Sequence, residues 1–208
     1  LAFAGIAPDP SVLALTQRQA EYGRPVGTYI AGAVSPGRLS GGAQQMARWA
    51  ETLSAIEKQF GVDPAIVVAI WGMETGFGSQ RGNQNMLSSI ATLSYDCRRS
   101  AFFTEHLYAA LQLIDRGALS PAQRGSMHGE VGQTQFMPKA ILAYGTGNLE
   151  NSANALNSTA NFLKAHGWRA GAGYQPGEPN FAAIQAWNAA GVYQKAIALM
   201  GRQIDGGK

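Results

Sequence analysis

Asp63-Pro-Ala-Ile-Val-Val-Ala-Ile-Trp-Gly-Met-Glu-Thr-Gly-Phe-Gly78 holds nine successive uncharged residues, Ala65 to Met73, between two acids. Asp63-Pro64 is a helix start, an acid at the N-cap and a proline where a missing N–H costs nothing. The helix runs to about Met73, and Gly76 and Gly78 stop it. Glu74 therefore falls at a helix C-terminus, joined to apolar surface. Desolvation and the negative end of the helix dipole both disfavour its ionised form, so its pKa is expected to rise. A carboxyl that holds its proton near neutral pH is what a general acid requires.

Around this run the 208 residues are 46% hydrophobic and only 14% charged, enough for one substantial core. The apolar run 65–73 is less than half of the about 20 residues a membrane helix needs, so no transmembrane segment is expected. The formal charge is +3, and Arg98-Arg99 is the only adjacent basic pair. Nucleic-acid binding concentrates such charge in a patch, and none is visible. A diffuse positive surface suits weak attraction to an acidic polymer or envelope, or plain solubility. Cys97 is the only cysteine, which rules out an internal disulfide. The chain opens on Leu1, which predicts an upstream segment that was removed; a signal peptide or lipid-anchor cysteine would belong to it.

Elsewhere the patterning predicts helices. Pro8-Asp9-Pro10-Ser11 caps one near 11–20, and glycine and proline punctuate Gly23 to Gly37. Met46, Trp49, Leu53, Ile56 and Phe60 alternate steps of three and four, marking an amphipathic helix over 41–60. Further helices are expected at 87–95, 100–115, 138–144, 151–166 and 180–200. The glycine-rich, polar stretch 125–138 reads as an irregular loop that delivers side chains to a site, and 169–180 also as loop. Strand signals are weak throughout. The expected fold is mainly α.

His106, His128 and His166 lack Cys or carboxylate partners at metal-ligand spacing. Neither HExxH nor paired CxxC occurs. Gly125-Ser-Met-His-Gly129 lacks the GxSxG spacing of a nucleophile elbow. These patterns point away from metal and Ser-His chemistry.

Five stretches in order resemble the membrane-bound lytic murein transglycosylase B family of the lysozyme-like superfamily. They are Ile70-Trp-Gly-Met-Glu-Thr-Gly-Phe-Gly78, Ala91 to Phe103, Gly125 to Pro138, Ser158 to Trp168, and Ala186-Trp-Asn-Ala-Ala-Gly-Val-Tyr193. The resemblance spans nearly the whole chain. It implies a goose-type lysozyme or soluble lytic transglycosylase-like helical domain over 1–208, with irregular loops and little β structure. Residues 1–40 would pack on that domain, and 169–180 would be a reduced accessory loop.

The resemblance makes Glu74 the only catalytic carboxylate. It would protonate the glycosidic oxygen between N-acetylmuramic acid and N-acetylglucosamine, then take the proton of the muramoyl C6 hydroxyl as that oxygen closes onto C1. One carboxylate then suffices, whereas glycoside hydrolysis generally uses two acids about 5–9.5 Å apart. The nearest acids in sequence, Asp63 and Asp96, read as a helix cap and a helix-end polar group. The plain alternative for Glu74 is a helix-end salt bridge.

By the same resemblance Ser126 orients Glu74, Gln135 contacts sugar, and Asn188 holds N-acetyl groups or the acid. Tyr29 and Tyr193 line the substrate cleft, where aromatic faces suit sugar rings. Gln133 is a further polar contact or a solvent-exposed side chain. Trp187 stands where tyrosine is common, keeping a stacking face and losing a hydroxyl contact. Phe102 and Phe162 also replace tyrosines, altering subsites or only packing; His128 replaces a small residue without an account. Tyr144-Gly-Thr-Gly-Asn-Leu-Glu-Asn151 stands where some relatives carry an acidic calcium loop, and its single acid argues against hard-cation binding. The implied protein is a monomeric peptidoglycan lytic transglycosylase of the periplasm or cell envelope. It would act on glycan strands, with no cofactor, metal or nucleic acid. A hydrolytic muramidase and a non-catalytic peptidoglycan-binding protein are the alternatives.

Overall fold

The computed structural model describes residues 4–16, 26–96 and 98–206. Cys97, and residues 17–20 of the helix expected over 11–20, lie outside these. The fold is mainly helical, with eleven helices among the described residues. α1 spans Pro10–Thr16, α2 Val26–Ala33, α3 Pro36–Arg48, α4 Ala50–Phe60, α5 Pro64–Thr75 and α6 Met86–Tyr95. α7 spans Ser100–Asp115, α8 Pro138–Tyr144, α9 Ser152–Ala165, α10 Phe181–Trp187 and α11 Gly191–Ile204. Two-residue strands, β1 Gln84–Asn85 and β2 Arg124–Gly125, pair antiparallel.

α5 is the hub. Asp63 caps it by accepting the Ala65 N–H at 2.7 Å, and Pro64 opens it. Ala65 to Trp71 are at most 2% exposed, because α3, α4, α9 and α11 cover the helix. A helix apolar on every side is one enclosed by others. The principal core joins it to Leu53, Ile56, Leu156, Leu163, Ile184 and Ile197. A second cluster forms where α6, α7 and α8 meet the 131–136 loop, around Met86, Ile90, Leu113 and Phe136.

Three expectations need correction. The helix expected over 41–60 is two, broken at Trp49, whose φ of −107° and ψ of 19° leave the helical region. The halves face different neighbours, α3 against α5 and α11, α4 against α5 and α9, and one straight helix does not reach both sets. The helix expected over 180–200 is likewise two, separated by an extended Asn188 (φ −144°, ψ 133°). The third is α2, which falls inside the segment read as glycine- and proline-punctuated. It buries none of its residues fully and packs on α11, so tertiary contact rather than propensity holds it.

No helix among the described residues is long and apolar enough to cross a membrane. Nor do those residues group three or more His, Cys, Asp or Glu side chains as a metal site would.

Candidate active site

Glu74 lies in the last turn of α5, half-buried. Gly76 ends the helix in the left-handed conformation, with its N–H on the Gly72 carbonyl at 3.1 Å and the Phe77 N–H on that of Trp71 at 3.3 Å. This is the paired termination that glycine favours. Thr75 fastens the helix end to the opposite loop, its hydroxyl donating to the Gln133 carbonyl at 2.6 Å and accepting the Gly78 N–H at 2.8 Å. Phe77 and Gln135, one on each loop, hold positive φ of 60° and 54°. Non-glycine residues in that region cost about 1–3 kcal/mol each and cluster at functional sites.

The Trp187 indole Nε1–H donates to Glu74 Oε1 at 2.8 Å. Where a hydroxyl contact was expected to be lost, the indole supplies a donor of its own. Its ring meets those of Phe136 and Phe162 edge-on, with centroids 5.2 and 5.0 Å away. Phe162 is also stacked on His166 and edge-on to Tyr144. Phe102 is 41% exposed with the Arg99 guanidinium 4.4 Å over its ring.

Tyr193, in the first turn of α11, hydrogen-bonds Glu74. Burial above all pushes its phenol well above the usual range; the Glu74 charge, the bond to Glu74, and the charges of Tyr29 and Glu130 add to that. The phenol stays protonated and acts as a donor. Tyr29, half-buried on α2, shares this neighbourhood. Asn188 turns the chain between α10 and α11, its Oδ1 accepting the Ala190 N–H at 2.9 Å and its carbonyl the Gln194 amide at 2.7 Å.

Ser126 is placed differently from expectation. Its hydroxyl donates to Glu130 Oε2 at 2.7 Å and accepts the N–H groups of His128 and Glu130, each at 3.1 Å. A hydroxyl has one proton, and here Glu130 receives it rather than Glu74. Glu130 is thus a second carboxylate at the site that sequence reading missed. The spacing Ser126-x-x-x-Glu130, a hydroxyl and an acid closing one turn, was the available signal. Asp63 and Asp96 are elsewhere, as the cap of α5 and as the partner of Arg98.

Gln135 donates its amide nitrogen to the carbonyls of Gly132 at 2.9 Å and Arg81 at 3.3 Å, which leaves Oε1 as the end for a ligand. Gln133 is not offered to solvent or ligand. It is 8% exposed, accepts the Trp71 indole N–H at 2.9 Å, and donates to the Glu150 carbonyl at 3.1 Å. Gly78, at φ +86°, makes room for it, since a Cβ there would stand 2.0 Å from Gln133 Oε1. Gln133→Leu strands the Trp71 N–H and the Glu150 carbonyl, and is expected to cost about 2–4 kcal/mol. Denaturant titration measures it; a change below about 0.5 kcal/mol, within ordinary surface scatter, would mean the amide is not so engaged.

The family model for the transglycosylase SLT domain matches residues 1–177. The membrane-bound lytic murein transglycosylase B of Escherichia coli (strain K12) is 32% identical over 163 residues, 71% of this chain and 45% of that protein. The chain thus spans under half the length of that relative. Among solved structures, SltB3 from Pseudomonas aeruginosa in complex with NAG-anhNAM-pentapeptide superposes with a TM-score of 0.92. The two are 30% identical, over 99% of this chain and 73% of that one. The Escherichia coli lytic transglycosylase SLT35 in complex with bulgecin A gives a TM-score of 0.86 at 25% identity, covering 98% and 85%.

Proposed function

The chain belongs to the transglycosylase SLT domain family, and from that membership we propose that it cleaves peptidoglycan glycan strands without water. The bond broken joins N-acetylmuramic acid to N-acetylglucosamine. Glu74 gives its proton to the bridging oxygen as the C1–O bond opens. The carboxylate then accepts the proton of the muramoyl C6 hydroxyl as O6 bonds to C1, leaving a 1,6-anhydro end and a reprotonated acid. The observation that carries this reading is the placement of Glu74, half-buried and held by two donors, the Trp187 N–H and the Tyr193 hydroxyl. Both stabilise the carboxylate that exists between the two proton transfers.

Tyr29, Gln135 and Asn188 line the sugar path in this reading, and Ser126 acts on the site through Glu130. The SltB3 structures hold NAG-anhNAM-pentapeptide and NAG-NAM-pentapeptide, which supports strands bearing stem peptides as substrate. Such a substrate is met in the periplasm or cell envelope, where this reading has the chain act, as a monomer.

One observation favours a second reading. Glu130 acts on the same Tyr193 phenol as Glu74, and a second carboxylate is what hydrolysis uses to activate water. Mass spectrometry of digested sacculi separates the two. Anhydro-muramoyl ends, 18 Da lighter than hydrated ones by the mass of about one water, are expected; reducing ends would make the protein a muramidase. Sacculus binding with no soluble fragments would make it a non-catalytic binder.

A further inference from the structure

Beside the two glutamines lies an open groove of about 400 Å³, lined by Arg81, Ser120, Gln123, Arg124 and Glu150 among others. Its position is set by the site. The Arg81 carbonyl holds the Gln135 amide and the Glu150 carbonyl holds the Gln133 amide, so the two residues of its ion pair buttress both glutamines through their backbones. The groove thus adjoins Gln135 through Arg81, one of its lining residues.

Its electrostatics are lopsided. Arg81 Nη1 pairs with Glu150 Oε2 at 2.7 Å, and Gln123 donates to the other Glu150 oxygen at 3.0 Å. That carboxylate is therefore engaged twice, and the excess positive charge is that of Arg124. Arg124 Nη1 is anchored on the Asn83 carbonyl at 2.6 Å and on its side-chain oxygen at 3.1 Å. Among the described residues its guanidinium bonds through Nη1 alone, with five N–H donors to offer in all. β2 fixes its backbone against β1. A guanidinium aimed from a rigid element suits a planar carboxylate, which it binds through two parallel bonds.

We propose that this groove is a subsite for a carboxylate of the stem peptide, with Arg124 as the recognising residue. The inference rests on the proposed reading of the chain as a peptidoglycan-cleaving enzyme, and adds where it takes the peptide rather than the sugar. Neither Arg81 nor Arg124 takes part in proton transfer, so the subsite governs substrate choice and not the chemical step.

The test compares the full chain with Arg124→Gln and Arg124→Lys on two substrates, glycan strands carrying stem peptides and the same strands stripped of them by an amidase. Arg124→Gln is expected to lower kcat/KM on peptide-bearing strands by about tenfold, the effect of one lost charge-assisted hydrogen bond, and to leave the rate on stripped strands unchanged. Arg124→Lys recovers part of the loss, keeping the charge without the fork. Equal loss on both substrates would overturn the proposal, since Arg124 would then only brace the Asn83 loop; no loss on either would overturn it too. Wild-type protein that cleaves neither substrate would instead count against the enzymatic reading itself.

Discussion

Glu74→Gln is expected to reduce turnover of peptidoglycan by about a thousandfold or more, the scale of a lost general acid that also serves as base. The substitution keeps the shape of the side chain. A carboxamide oxygen still accepts the Trp187 N–H now bonded to Oε1, and a half-buried position at a helix end tolerates loss of charge. What disappears is the transferable proton. Thermal unfolding and cosedimentation with sacculi should therefore match wild type while fragment release does not. Residual activity within about tenfold of wild type would contradict the assignment, because a positioned acid contributes at least about a hundredfold.

The parts of this chain that were readable in advance are those governed by local chemistry. α5 is announced by Asp63-Pro64 and closed by Gly76, and each signal acts on the backbone beside it. α7, α8 and α9 lie within one or two residues of expectation for the same reason. The bends at Trp49 and Asn188 were not readable, because what interrupts each helix is the different set of neighbours on either side, and a periodic pattern continues through such a break. α2 was missed because glycines weaken its propensity, and its support comes from α11, over 150 residues away in the chain.

The site divides along the same line. Glu74 stands out because the apolar helix it ends adjoins it in sequence, although its donors, Trp187 and Tyr193, come from the far end of the chain. Glu130 does not, since only folding brings its loop to Tyr193. Gln133 and Gln135 are two residues apart and similar in type, yet one bonds Trp71 in the core and the other the Gly132 and Arg81 carbonyls. The positive φ of Gln135 sends them apart, and no propensity rule forecasts a glutamine there.

Trp187 yields the second large effect. Its N–H is a donor and never an acceptor, so it bonds Glu74 Oε1 whether the acid is protonated or not. That makes Oε1 the acceptor of this bond in both protonation states. Trp187→Phe keeps an aromatic ring for the edge-on contacts with Phe136 and Phe162, but removes the donor. Loss of a hydrogen bond to a charged group, about 1.5–3 kcal/mol, corresponds to a fall in kcat of about ten- to a hundredfold. KM should change little, because the lost bond is to the acid and not to sugar. Trp187→Tyr restores a donor on a shorter ring and is expected to recover part of the rate. The opposite pattern, normal kcat with a raised KM in Trp187→Phe, would show the ring acting as a sugar platform rather than as a donor to the acid.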